Sequence, residues 1–398
     1  SDFVGRYPYR DRPGLWDGTI DLAGRRVLVW AEQGLGDTIQ FARFVPALAA
    51  RGAHVEVHVP KPGASFGVGS LPHRECKEAV DFAWRATDIP TIPSLPRRSP
   101  AEGMIAQALV GIEGVSAGQY GSISVDIDAL DLAGEVTTDL NSDAYGAFAE
   151  FLESARLRTA SPEWVKWQFV GPLTLGFSLV RSGMAVEVAA PLAMQAVRCH
   201  VQALQAEVAA VMPHTSQIVI FDEPMLHEAL VPGFPVSPDE VIDFVSGALA
   251  AVEPGNISGV HSCAETDWVA LLSMGANILS VPVPSASDEE QMNSMLAAAP
   301  RISEHLEHGG RIAWGAVRTD GPIAVSADRP WKNLAGALCA LVQSGVDPVL
   351  IRRNSFVTPA CGLGTHTPAV AERVMSHVRD ISMRISEQAT ASLLTLGS

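Results

Sequence analysis

The sequence carries little positive charge and few charged residues of either sign. Its 398 residues include 28 lysines and arginines against 44 aspartates and glutamates, so the net charge is −16, and charged residues make up only 18%. A nucleic-acid partner requires a basic face, and this balance argues against one. Hydrophobic residues reach 47%, which favours a large folded core over disorder.

Long apolar runs and closely spaced cysteines are also missing. No run approaches the ~18 apolar residues of a membrane-spanning helix, and the first residues lack the pattern of a secretion signal. The 5 cysteines are odd in number and widely spaced, which argues against a disulfide framework and favours a reducing compartment. We therefore expect a cytoplasmic protein without a membrane partner.

From residue 63 onward, strand and helix patterns alternate. The candidate strands are 65–70, 164–170, 217–222, 256–261, 276–283, 311–317 and 348–356, with a weaker one at 89–95. The amphipathic helices are 74–87, 142–157, 185–211, 238–252, 265–274, 288–308 and 331–345. This alternation predicts an α/β fold, a (β/α)8 TIM barrel with insertions over residues 63–398. A doubly wound open sheet is the alternative.

A smaller unit is predicted over residues 1–62. Strand patterns at 26–30 and 55–59 flank the glycine turn Gly34-Leu35-Gly36 and a helix pattern at 38–51, which together indicate a βαβ appendage. The turn could hold a phosphate at the helix start. A plain strand-to-helix turn is the better interpretation.

Two distant segments carry the residues of a predicted metal site. His261-Ser262-Cys263 follows an apolar strand, and Cys361 follows another. Side chains two residues apart in a strand share a face, so His261 and Cys263 can reach one ion, and Cys361 can complete the site. One imidazole and two thiolates suit zinc and leave a position open for chemistry. Buried core cysteines are the alternative interpretation.

Polar residues at other strand ends are candidate substrate ligands. Asp222 and Glu223 follow an apolar strand, where a carboxylate could bind a substrate ammonium group, so Asp222 is a candidate catalytic residue as well. A helix cap is the alternative for both. Ser70 lies in a glycine-rich turn and could hold a substrate carboxylate through its hydroxyl and N–H groups.

Seven segments in order along residues 64–398 resemble the catalytic barrel of the cobalamin-independent methionine synthase family, in its short single-barrel form. The superfamily also includes uroporphyrinogen decarboxylase. The resemblance implies a zinc-dependent methyltransferase of methionine biosynthesis, with zinc on His261, Cys263 and Cys361 and homocysteine near Ser70 and Asp222. The segments are Gly67-Val68-Gly69-Ser70-Leu71-Pro72-His73, Leu95-Pro96-Arg97-Arg98, Gly171-Pro172-Leu173-Thr174, Asp222-Glu223-Pro224, His261-Ser262-Cys263, Trp314-Gly315 and Pro359-Ala360-Cys361-Gly362-Leu363.

Several positions depart from the family pattern, and the glutamate that helps hold the amino group is not clearly matched near Arg98 or Glu102. Pro282 stands near the place of a further glutamate ligand, residues 317–319 lack the proton-handling histidine, and Phe177 stands near the place of the folate-stacking tryptophan. The methyl donor is therefore open between a methylfolate and methylcobalamin, the latter free or on a corrinoid protein partner. A metal-free decarboxylase and a non-catalytic barrel are the alternative functions.

The beginning of the chain has a second resemblance. Trp16-Asp17-Gly18 and residues 27–43 resemble the start of the glycosyltransferase-like domain found behind tetratricopeptide repeats. A single βαβ unit cannot bury both of its faces. We therefore expect this fragment to pack against the barrel or against another subunit of a homo-oligomer.

Overall fold

The computed structural model describes residues 26–29, 54–57, 59–118, 121–131, 134, 136–231, 234, 236–264, 267–285 and 287–396. Its strands are β1 (Arg26–Val29), β2 (His54–Val57), β3 (Val115–Ala117), β4 (Ile123–Val125), β5 (Trp164–Val170), β6 (Ser216–Asp222), β7 (Ile257–His261), β8 (Ile278–Pro282), β9 (Arg311–Val317) and β10 (Ser355–Pro359). Strands β5 to β10 form a curled six-stranded parallel sheet in chain order. The architecture is mixed α/β and compatible with part of a TIM-type barrel.

Helices cover the sheet and connect its strands. They are α1 (Cys76–Ala86), α2 (Met104–Ala108), α3 (Gly146–Arg156), α4 (Pro172–Arg181), α5 (Val186–Val211), α6 (Leu226–Ala229), α7 (Pro238–Leu249), α8 (Trp268–Ser273), α9 (Glu289–Ala297), α10 (Ala299–Glu307), α11 (Asp328–Gln343), α12 (Pro348–Arg353) and α13 (Pro368–Leu396). Helical turns also occur at Pro100–Glu102 and Asp143–Tyr145. β3 and β4 form a separate antiparallel pair that the sequence pattern did not predict.

Strands β5 to β10 are buried on both faces, as their continuous apolar runs predict for a parallel sheet. One apolar cluster lies on the inner face of the curled sheet, and a larger one lies between the sheet and the helices. The inner cluster consists of Ala64, Phe66, Ile89, Trp164, Ile218, Ile220, Ile257, Ile278, Ala313 and Phe356. Strands β5 to β9 confirm the predictions for this part of the chain.

Two extended segments lie at the outer edges of the six-stranded sheet, where strands 65–70 and 89–95 were predicted. The N–H of Phe66 donates to the oxygen of Val357 in β10 over 3.2 Å, and that of Ile92 donates to the oxygen of Lys166 in β5 over 2.8 Å. The N–H of Ser94 donates to the oxygen of Gly69 over 3.3 Å. Parallel bridges also join Ser65 to Val357 and Thr91 to Lys166.

The strand predicted at 348–356 is wrong in its first half. Residues Pro348–Arg353 form α12, and β10 begins only at Ser355. Asp347 caps the helix by accepting hydrogen bonds from the N–H groups of Val349 and Leu350. Proline at the first helical position supports this start, because it has no N–H to leave unbonded.

The single helix predicted at 288–308 is two helices. α9 ends at Ala297 and α10 begins at Ala299, with Ala298 between them and Pro300 in the first turn of α10. Proline lacks an N–H donor and is tolerated in a first turn but not in a helix interior. The chain therefore restarts the helix at this position.

In the N-terminal unit, β1 and β2 pair in parallel from Arg26 opposite His54 to Val29 opposite Val57. This confirms the two predicted strands. The helix predicted at 38–51 and the Gly34-Leu35-Gly36 turn lie outside the described residues, so the βαβ interpretation stays a prediction. Among the helices of the described part, none is long and apolar enough to cross a bilayer.

The cap of α12 gives a first prediction. Asp347→Ala should lower the free energy of unfolding by about 1 kcal/mol, because two helical N–H groups lose their acceptor. Urea denaturation followed by circular dichroism measures this. Asp347→Asn keeps a capping oxygen and is the control. If Asp347→Asn lowered the free energy of unfolding as much as Asp347→Ala, the capping role would be contradicted.

Candidate metal centre

The three predicted ligands come together at one end of the curled sheet. His261 ends β7, Cys263 follows two residues later, and Cys361 follows the end of β10. One donor atom from each lies within 4.8 Å of the others. A tetrahedral zinc ion sets its nitrogen and sulfur donors about 3.5 to 3.8 Å apart, so the three donor atoms must move together by about 1 Å to bind one ion. The residues therefore fit zinc.

Hydrogen bonding leaves one nitrogen of His261 free to bind a metal. Nδ1 lies 3.2 Å from the main-chain oxygen of Ser280 and 3.0 Å from its hydroxyl oxygen. A carbonyl oxygen can only accept, so Nδ1 carries the proton and Nε2 keeps its lone pair. Within the part of the chain that the structure describes, Nε2 is buried and has no hydrogen-bond partner. Such an arrangement is typical of a metal-ligating histidine.

The two thiols interact directly. The Cys263 thiol donates to the sulfur of Cys361, which raises the pKa of Cys263 and, together with the adjacent His261 ring, lowers the pKa of Cys361. Both side chains are partly exposed. Since only a thiolate binds zinc strongly, Cys361 is already biased toward its ligating form before any ion arrives.

Asp222 lies beside the ligand histidine. It ends β6 and pairs in register with His261 on β7. Burial raises the pKa of Asp222 to about 6, although His261 and Lys166 oppose this shift. Its Oδ1 atom is buried and, among the described residues, has no partner. An unpaired buried carboxylate oxygen next to the metal ligands is a suitable acceptor for a substrate ammonium group.

Ser70 lies against the loop that carries Cys361. Its main-chain oxygen accepts from the N–H of Leu363 over 2.8 Å, and its hydroxyl oxygen accepts from the N–H of Gly364 over 3.4 Å. A Cβ atom on Gly362 would lie only 2.1 Å from the Ser70 hydroxyl oxygen. The glycine after Cys361 therefore allows Ser70 to approach the metal centre.

Glu223 turns away from Asp222 and holds the start of α4. Its carboxylate accepts from the N–H of Leu173 over 3.0 Å and from the N–H and hydroxyl of Thr174 over 2.8 and 2.5 Å. Burial raises its pKa to about 7. These contacts also explain why residue 171 is a glycine, because a Cβ atom there would lie 2.0 Å from a carboxylate oxygen of Glu223. The contact between Glu223 and substrate stays a prediction.

Two buried charged residues were not predicted from the sequence. Lys166, on β5, is 1% exposed and donates to Gln168 and to the main-chain oxygen of Val68. Burial lowers the pKa of Lys166 to about 7, while nearby Asp222 raises it. Glu102 is also 1% exposed and accepts from the N–H of Leu95 over 2.6 Å. The only sequence signal for Lys166 was a charge inside an apolar strand.

A cavity lies away from this centre. It has a volume of about 380 Å³ between α4, α5 and α7, and Phe177, Phe234 and Phe244 contribute aromatic rings to its wall. Leu173, in the first turn of α4, also lines this cavity, and its N–H donates to Glu223.

Comparison with known proteins gives structural likenesses only. No protein-family profile and no curated protein matches the chain. A methyltransferase from Methanosarcina mazei is similar with a TM-score of 0.49 and 15% identity, over 81% of this chain and 94% of the other. A putative vitamin-B12-independent methionine synthase from Listeria monocytogenes is similar with a TM-score of 0.46 and 12% identity, over 82% and 98%. The functional argument therefore rests on the site itself.

The contact between the two thiols gives a second prediction. In metal-free protein, the pH midpoint for iodoacetamide labelling of Cys361 should rise when Cys263 is replaced by alanine, because the thiolate loses its hydrogen-bond donor. Peptide mass spectrometry across a pH series measures the midpoint. Cys339→Ala removes an exposed cysteine and should leave it unchanged. If the pH midpoint for labelling of Cys361 were the same in wild type and in Cys263→Ala, this would argue against a hydrogen bond between the two thiols.

Proposed function

We propose that this chain is a zinc-dependent methyltransferase that moves a methyl group to a small thiol, with homocysteine as the acceptor and methionine as the product. The observation that carries the proposal is the convergence of His261, Cys263 and Cys361, whose donor atoms lie within 4.8 Å of one another. The free lone pair of His261 Nε2 supports it. The family resemblance of the ordered segments supports the choice of acceptor.

Each residue of the site has a role in this proposal. His261, Cys263 and Cys361 would hold zinc, which when bound keeps a coordinating thiol deprotonated at neutral pH. Ser280 orients the His261 ring through Nδ1. Asp222 would bind the ammonium group of homocysteine through its unpaired oxygen, and Ser70 would bind the carboxylate. These contacts would place the acceptor sulfur in a fixed position for attack.

The transfer itself forms one bond and breaks one. The acceptor loses its thiol proton on binding, its sulfur forms a bond to the methyl carbon, and the bond between that carbon and the donor breaks. The donor keeps the electron pair of the broken bond. The donor is a methylfolate or methylcobalamin, the latter free or delivered by a corrinoid protein.

We also interpret the fold as a closed (β/α)8 barrel. The segments at 64–70 and 89–95 would be its first two strands, because their hydrogen bonds connect β10 to β5. Closure would place the strand ends with Ser70, Asp222, His261 and Cys361 around one opening. This is the usual position of an active site in such a barrel.

The arginines near this opening are already paired with protein groups, which argues against a metal-free decarboxylase. Such an enzyme would need free arginines to bind the carboxylates of its substrate. Arg97 donates to the main-chain oxygen of Thr365, and Arg98 pairs with Glu102 and Asp143. Their guanidinium groups already have protein partners.

Elemental analysis of the purified protein tests the metal ligands. Wild type should carry about one zinc ion per chain, and Cys361→Ser should carry much less, because a serine hydroxyl is a poor replacement for a thiolate. Plasma mass spectrometry measures the zinc content. Cys339→Ser replaces an exposed cysteine and should keep the full content. An equal zinc content in wild type and in Cys361→Ser would contradict the assignment of Cys361 as a zinc ligand.

A methylation assay tests the reaction. Zinc-loaded protein with homocysteine should form methionine from methylcobalamin or from a methylfolate, as measured by mass spectrometry, and the productive donor identifies the subtype. Asp222→Asn should raise the KM for homocysteine about tenfold, because an ammonium group loses a charged acceptor. Absence of product with both donors in a zinc-loaded protein would rule out homocysteine methylation.

A further inference from the structure

Gln168 is an inward-facing polar side chain that the proposed chemistry leaves without a role. It follows Trp164 and Lys166 at intervals of two residues on β5, and Trp164 belongs to the inner apolar cluster. All three therefore share the inner face of the sheet. Lys166 is 1% exposed, whereas Gln168 is partly exposed. In the parallel register Gln168 pairs with Ile220, two residues before Asp222 on β6, so Gln168 lies toward the end of the sheet that holds the metal centre.

The amide of Gln168 is held in one orientation. Lys166 Nζ donates to Gln168 Oε1 over 2.9 Å and also to the main-chain oxygen of Val68. An amine has at least two N–H groups in either protonation state, so both bonds form whether or not Lys166 is charged. Because the amide oxygen accepts from Lys166, the NH2 group of Gln168 points away from Lys166.

A glycine places this amide next to the residues of the site. Gly69 has a φ of 146°, and a Cβ atom there would lie 1.9 Å from Gln168 Cδ. The amide therefore packs directly on the backbone of Gly69. The next residue, Ser70, contacts Gly362 beside Cys361. Gln168, Ser70 and Cys361 thus follow one another along one side of the opening.

We infer that Gln168 binds the carboxylate of the acceptor thiol together with Ser70, and that Lys166 positions the Gln168 amide for this contact. The inference rests on the proposed function, since the sulfur of the same molecule must lie at the metal centre. An NH2 group offers two donors to carboxylate oxygens, and hydrogen bonds to a charged acceptor are stronger than those to a neutral one. Asp222, on the adjacent strand β6, stays available for a cationic group.

Calorimetric titration of the zinc-loaded protein with two thiols tests this inference. 3-Mercaptopropionate has a carboxylate, and 2-mercaptoethanol is a neutral thiol of similar size. Wild type should bind 3-mercaptopropionate about tenfold more tightly. Gln168→Glu should abolish this preference, because it keeps the side-chain size but places a negative charge against the ligand. Affinity for 2-mercaptoethanol should stay the same.

Lys166→Met tests the positioning role separately. This variant lacks the amine that orients the Gln168 amide. The affinity for 3-mercaptopropionate relative to 2-mercaptoethanol should therefore fall, while the zinc content should stay the same. A lysine with a purely structural role would not produce this result. The matched glutamine control is Gln195→Ala on α5, whose Nε2 donates to the main-chain oxygen of Gly134 over 3.0 Å. Both affinities should be unchanged in this control.

The outcomes separate the two proposals. Equal affinity of wild type for both thiols, or a carboxylate preference that survives Gln168→Glu, would overturn the inference and leave the proposed function intact. Failure of the wild-type protein to hold zinc, or to bind either thiol when loaded with zinc, would defeat the proposed function itself. A preference lost in Gln168→Glu and kept in Gln195→Ala supports the inference.

Discussion

The parallel hydrogen-bond register between β6, β7 and β8 determines where the chemistry of this protein lies. It aligns Asp222 with His261 and His261 with Ser280, so a carboxylate, an imidazole and the group that orients the imidazole occupy one row. A slip of one residue would turn every side chain to the opposite face of the sheet. The row would then be lost, and with it the approach of Cys263 to Cys361.

Buried polar groups in the described part of the chain divide into two kinds. Glu102 and Glu223 have their oxygens bonded to main-chain N–H groups and hold local structure. In the part that the structure describes, Asp222 Oδ1 and His261 Nε2 are buried without partners. Burying a polar group without a hydrogen bond is costly, so such atoms are concentrated where a ligand or an ion completes them.

Much of the sheet could be predicted because buried parallel strands leave a clear apolar pattern. The run before Asp222 became β6 as predicted. The pattern failed at Pro348–Arg353, because a short apolar run does not distinguish a buried helix from a strand. There the local start signal, Asp347 before Pro348, outweighed the apolar run. Gln168 could not be predicted as a site residue, since its orientation depends on Lys166 and on Gly69 from another segment.

By itself, the sequence determined which donor atoms were present and that His261 ends a buried strand with Cys263 two residues later. It also placed Asp222 and Glu223 at the end of a buried strand. Only the tertiary structure decided that, among the described residues, Asp222 Oδ1 has no hydrogen-bond partner while the Glu223 carboxylate binds the start of α4. It also decided that Cys361 lies beside His261 and Cys263. These outcomes depend on contacts between segments distant in the chain, which local spacing does not encode.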